Sequence, residues 1–116
     1  MPEITRINPG PRMSQAVVHA GTVYTAGHVA AGGGDVATQT REILAKLEAT
    51  LAKAGSDKTA ILSATVWLTD MATFDQMNAV WDAWVAPGQP PARACVGAAL
   101  AAPQYTVEIA VIAAVR

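Results

Sequence analysis

Residues 60–68 (Ala-Ile-Leu-Ser-Ala-Thr-Val-Trp-Leu) and 105–115 are apolar at both odd and even positions. Residues 60–68 are too short and too β-branched for a second long helix, and both runs read as strands, with 60–68 in the middle of a sheet. A strand sends alternate side chains to opposite faces, so strands of this kind need cover on two sides. That requirement limits what 116 residues can build, since such a chain is long enough for one core and too short for two. We expect a single domain over residues 1–116.

The rest of the chain supplies two helices. Beyond the glycine-rich stretch 30–34, Asp35 stands where an N-cap is wanted. Val36, Thr40, Ile43, Leu44, Leu47, Leu51 and Ala54 then fall on one helical stripe, with Arg41, Glu42, Lys46, Glu48 and Lys53 largely on the other side. Gly55 follows as the C′ residue. A second helix is predicted from a cap at Thr73 to about Val85, with Phe74, Met77, Val80, Trp81 and Trp84 on one stripe. The breakers Pro87, Gly88, Pro90 and Pro91 end it.

Residues 3–7, 14–20 and 22–27 are β-prone, and Ala20-Gly21 marks a hairpin between the last two. Residues 92–98 form a further strand, joined to 105–115 across Ala101-Ala102-Pro103-Gln104. The order β-β-β-α-β-α-β-β predicts an α+β fold, a mixed sheet with both helices packed on one face. Two helices leave the second face bare. With 52% hydrophobic residues and 15% charged, we expect that face to meet other copies of the chain, most naturally in a closed ring.

Net charge is −1, with lysines and arginines scattered singly. This disfavours nucleic acid and membrane surfaces as partners. The N-terminal Met-Pro-Glu-Ile-Thr-Arg lacks the apolar core of a signal peptide, and no run approaches the roughly 20 residues of a spanning helix, so a cytoplasmic protein is expected. One cysteine excludes an intrachain disulfide, and two histidines beside it give no reason to expect a metal.

Chemistry concentrates in Pro90-Pro91-Ala92-Arg93-Ala94-Cys95-Val96. The prolines hold an extended, donor-poor start that suits a sheet margin. Arg93 then opens an apolar run, where a guanidinium left unpaired would cost several kcal/mol, about 3–5 for a broken buried pair. Its partner is either Glu108 or the carboxylate of a ligand. Alternation gives Arg93, Cys95 and Gly97 one face, and Thr106, Glu108, Ala110 and Ile112 one face. With the turn centred between Ala101 and Ala102, antiparallel pairing sets Cys95 opposite Glu108 and Arg93 one step along, so all three are expected on one patch. Cys95 reads as a small buried residue, because neither His19 nor His28 is spaced to activate it.

At these residues the chain resembles the RidA/YjgF family of reactive-intermediate imine deaminases. The matching pieces are Gly10-Pro11 with Ser14-Gln15-Ala16-Val17, Gly21 with Val23-Tyr24-Thr25-Ala26-Gly27, Leu68-Thr69-Asp70-Met71 with Phe74 and Asn78, then Pro91-Ala92-Arg93-Ala94-Cys95-Val96 and Val107-Glu108-Ile109. The resemblance implies a chorismate-mutase-like fold, a homotrimer with a barrel-like core, clefts between subunits and no cofactor. It implies that Arg93 grips the substrate carboxylate and that Glu108 handles the water or proton. The Cys95 neighbourhood would add backbone contacts, and Asn78 matches a recurrent asparagine.

The chain also departs from the family pattern. Met13 stands where the family's active members carry tyrosine, with Arg12 as an apparent insertion. Ala26 stands where serine is usual, and His28 where glutamine is. Met13, Ala26 and Arg12 would thus border the substrate, and the losses imply a larger or more apolar substrate or weak turnover. The expected activity is hydrolysis of 2-aminoacrylate-like enamines and imines to 2-oxo acids and ammonia. It needs an anion clamp, a positioned water and one proton-handling group. The alternative is a non-catalytic, regulatory module that binds a small carboxylic acid in the same inter-subunit cleft.

Other functions fit less well. A chorismate mutase would want several convergent cations, for which only Arg93, Arg12 and Arg6 are available. RNA cleavage is disfavoured by charge. Arg12 is an exposed cation or a second anion contact, and Asn78 could merely brace the loop. Gly32-Gly33-Gly34 reads as a flexible turn, and Trp67, Trp81 and Trp84 as core or subunit contacts.

Overall fold

The computed structural model describes residues 2–116. Its strands are β1 (Ile4–Ile7), β2 (Ala16–His19), β3 (Thr22–Thr25), β4 (Ile61–Leu68), β5 (Ala92–Gly97) and β6 (Val107–Ala114). Helix α1 (Val36–Lys53) lies between β3 and β4, and α2 (Phe74–Trp84) between β4 and β5. This is the expected α+β layout.

Local chemistry explains the boundaries. The Asp35 carboxylate accepts the Thr38 N–H at 2.8 Å, and Gly55, at φ +79°, turns the chain so that Ser56 N–H reaches Leu51 O at 2.8 Å. That is a capped start and a Schellman stop, as the sequence predicts. The β2–β3 hairpin turns on Ala20 and Gly21, with φ 50° and 82°, the two left-handed positions of a type I′ turn. The entry to α2 differs from expectation. Thr73 makes no side-chain cap; a short 3₁₀ turn over Met71–Thr73 precedes the helix, and the Asp70 carboxylate caps it through Ala72 N–H at 2.9 Å.

The strand order is β1-β2-β3-β6-β4-β5, antiparallel except for β4 and β5, which run parallel and are joined through α2. The expected β5–β6 hairpin does not form. The chain crosses back after β5, and β6 inserts between β3 and β4. This sets the two doubly apolar strands side by side in the middle, while the proline-led β5 takes the edge.

One face of the sheet carries Val66, Leu68, Val107, Ile109, Val111 and Ala113, closed over by Ile43, Leu44, Leu47 and Leu51 of α1 and by Met77 and Trp81 of α2. Both helices pack there. The other face carries Tyr24, Ser63, Thr65, Trp67, Val96, Glu108, Ala110 and Ile112, and no helix among the described residues covers it. Tyr24 is 47% exposed, Val96 46% and Ile112 37%. Among the described residues no helix is long and apolar enough to cross a membrane.

Candidate functional site

Residues 22–27 do not form one continuous strand. β3 stops at Thr25, and the chain rejoins β6 at His28, which exchanges backbone hydrogen bonds of 2.8 and 3.1 Å with Ile109. Between the Tyr24–Ile112 and His28–Ile109 pairs, three residues face two, which makes a bulge. The Thr25 hydroxyl replaces the lost ladder acceptor by taking Val111 N–H at 2.9 Å. Ala26 N–H donates to Gln15 O at 2.9 Å, which ties the exposed loop bearing Arg12 and Met13 to the bulge.

Gly27 meets the Glu108 side chain. A Cβ there would stand 2.8 Å from Glu108 Cδ and would overlap Oε2, so the missing side chain is the space the carboxylate occupies. His28 holds the bulge from the helix side. It is 5% exposed, with Nδ1 2.8 Å from Ala26 O and Nε2 3.0 Å from Thr50 Oγ1 on α1. Burial pushes its pKa down against the opposing pull of the Ala26 carbonyl. The ring is therefore neutral near pH 7. Nδ1–H donates to the carbonyl, which can only accept, and Nε2 accepts the Thr50 hydroxyl.

Glu108 points to the uncovered face. Its carboxylate, half-buried, has no ion pair among the described residues. It opens on a hollow of about 240 Å³ whose other walls are Trp67 and residues 98–101.

Arg93 lies on the other side of the sheet. Its register partner is Ala64, and Cys95 pairs with Val66, whereas Glu108 pairs with Trp67. Alternation therefore sends Arg93 and Cys95 toward α2 and Glu108 away from it. The expected single patch of Arg93, Cys95 and Glu108 does not exist within one chain, because it assumed direct pairing of β5 with β6. The internal ion pair goes with it.

The Arg93 guanidinium instead lies 5.1 Å from the ring centre of Trp81 and 5.9 Å from that of Phe74, with Nη1 3.9 Å from Met77 Sδ. It has no carboxylate partner among the described residues. Aromatic faces hold the cation without neutralising it. Asn78, on the same flank of α2 as Phe74 and Trp81, keeps a buried Oδ1 with no hydrogen-bond partner among the described residues. Burial raises the Cys95 pKa against a smaller pull from Arg93, so the thiol stays protonated. The sites thus fall into two halves: Arg93, Asn78 and Cys95 at the α2 edge, and Glu108 with Gly27, Ala26 and the Met13 loop at the bulge.

The endoribonuclease L-PSP family profile matches residues 3–115. The chain belongs to this family. It is similar to the RutC family protein YoaB of Escherichia coli, 44% identical over 112 residues and covering 97% of this chain and 98% of that one. A crystal structure of a YjgF-family protein from Neisseria meningitidis is 45% identical and superposes with a TM-score of 0.97 over 98% of this chain and 96% of that one. A YjgF/YER057c/UK114 family protein from Mycobacterium tuberculosis, 28% identical, gives a TM-score of 0.90 over 97% and 100%.

Within this L-PSP chain, sequence reasoning missed three contributors. Gly27 was expected inside a strand, His28 appeared only as a replacement for glutamine, and Gln39 was absent from the helix stripe. Gln39 is fully buried. Its Nε2 donates to Gly34 O at 2.8 Å and Gln104 O at 2.9 Å, and its Oε1 accepts Thr106 N–H at 3.0 Å, which fixes the approach to Glu108. Its position between Val36 and Ile43, on the buried side, was the available signal.

Proposed function

We propose that the protein hydrolyses reactive enamines and imines of the 2-aminoacrylate type to 2-oxo acids and ammonia, in clefts between the subunits of a homotrimer. The observation that carries this is the split itself. An unneutralised Arg93 and an unpaired Glu108 lie on opposite faces of one sheet, so a ligand touching both must sit between two copies. Association would also cover the exposed Tyr24, Val96 and Ile112.

The roles follow from the side chains. The Arg93 fork, set beside the Trp81 and Phe74 rings, suits bidentate bonding to a carboxylate. Asn78 has a spare polar atom on the same flank. The Glu108 carboxylate, from the next copy, takes a proton from water as its oxygen adds to the imine carbon, and returns it to nitrogen. The same carboxylate then carries the hydroxyl proton of the adduct to its amino group, and ammonia leaves as the carbonyl forms; an enamine enters this sequence after tautomerising to the imine. Cys95, kept as a thiol, supplies no nucleophile.

Met13 and Ala26, which lack hydroxyls, favour the second reading: the same cleft binding a small carboxylic acid without turnover. RNA is a poor match for scattered single cations and a net charge of −1.

The test is to generate the imine in situ and follow 2-oxo acid release. Wild type should exceed both Arg93→Ala and Glu108→Gln, and sedimentation should give three 12.0 kDa chains. Equal rates for all three proteins would refute catalysis, leaving the binding reading if 2-oxo acids still bind in an Arg93-dependent way. A monomer in solution would refute the shared cleft.

A further inference from the structure

The hollow beside Glu108 gives the proposed site a substrate class. Besides the Glu108 carboxylate, its side chains are those of Trp67, Ala98, Ala99, Leu100 and Ala101, with no second charge and no hydroxyl. A further depression of about 440 Å³ shares Ala99, Leu100 and Ala101 and extends toward Thr69 and Tyr105. From the carboxylate outward, the side chains run over an indole, one leucine and several alanines, and the outer depression ends on Pro103 and the hydroxyl-bearing Thr69 and Tyr105.

The reacting carbon of a 2-imino acid carries three groups. The carboxylate goes to Arg93, and the nitrogen and attacking water belong with Glu108. The side chain remains, and the hollow is the space that adjoins Glu108 on this face. A methyl group would leave most of its roughly 240 Å³ to water. An isobutyl or benzyl group would exchange that water for contact with Trp67 and Leu100.

We propose that the protein selects 2-imino acids with bulky apolar side chains, isobutyl and benzyl over methyl, by seating the side chain against Trp67 and Leu100. This rests on Glu108 being the proton-handling group of the site. Each methylene moved from water to an apolar surface is worth about fourfold in affinity. Three further carbons make isobutyl over methyl a preference of tens of fold, up to roughly 60-fold.

The probes are pyruvate, 4-methyl-2-oxopentanoate and phenylpyruvate, titrated calorimetrically against the assembled wild-type protein and against Leu100→Asn. Imines made in situ from the corresponding amino acids give kcat/KM for the same series. Wild-type affinity should rise tens of fold from methyl to isobutyl, and Leu100→Asn should cut that ratio about tenfold. A flat wild-type series with pyruvate bound overturns the inference alone, as would occur if a neighbouring copy fills the hollow. A full preference surviving in Leu100→Asn overturns it too. Failure of every 2-oxo acid to bind, with none of the imines turned over, overturns the proposed function as well; where the imines do turn over, the kcat/KM series decides the inference by itself. The wild-type series is decisive even if Leu100→Asn does not fold.

Discussion

A methyl group added at residue 27 separates the position of Glu108 from the stability of the fold. Gly27 is not in the left-handed region, so alanine meets no backbone penalty; what it meets is the Glu108 side chain, 2.8 Å away at Cδ. The obstructing atoms are the far end of a flexible side chain, which can rotate away. An off-rotamer glutamate costs about 0.5–1.5 kcal/mol. Replacing glycine returns about 0.4–1 kcal/mol by restricting the unfolded chain. Gly27→Ala should therefore fold with a stability within about 1 kcal/mol of wild type by urea denaturation. It should nonetheless lose imine hydrolysis by about 10²–10⁴-fold, the usual worth of a placed acid–base group. In a Glu108→Ala background the same change should do nothing further, since both act through one carboxylate. Wild-type activity in folded Gly27→Ala, or fully additive losses in the double variant, would refute the role given to that contact.

Three further outcomes are expected. The lowered pKa of buried His28 means that, below the ordinary 6.5, the unfolded chain binds a proton that the folded one refuses. Its contribution is thus complete above pH 6.5 and is lost as pH falls toward the folded-state value, at up to about 1.4 kcal/mol per unit; urea midpoints at pH 7.5 and 5 should diverge more for wild type than for His28→Gln, and equal shifts would count against it. Gln39→Leu strands Gly34 O, Gln104 O and Thr106 N–H and should cost about 2–4 kcal/mol in denaturant melts, with a loss below about 1 showing that water replaces those bonds. Ala20→Asn, at φ 50° in the hairpin turn, should raise stability by about 1 kcal/mol, and any lowering of the thermal midpoint contradicts the assigned turn.

Much of the site was legible in the residues. Arg93 was marked by its isolation in an apolar run after two prolines, and the structure leaves it without a carboxylate partner. Glu108 was marked as the carboxylate that could answer Arg93 and by the resemblance of Val107-Glu108-Ile109 to the family pattern. What could not be read was their relation. Both face assignments, Arg93 with Cys95 and Glu108 with Ala110, were right within each strand. The inferred side-by-side pairing failed, because a strand inserted between β5 and β6 makes the relative face depend on β4's register with each. The bulge at Gly27 was hidden for a similar reason, since its anchors are Gln15, Thr50 and Val111.

By itself, the sequence determined the parts: a capped α1 ending in Gly55, a two-residue hairpin, two strands needing cover on both sides, and an edge strand led by proline. Those follow from dihedral preferences and short-range hydrogen bonds, which nearby residues decide. Only the tertiary structure decided that β6 lies between β3 and β4, and hence that the guanidinium and the carboxylate face away from each other. Strand neighbours are chosen by burial summed over the whole sheet, and changing one neighbour alters which side chains can meet.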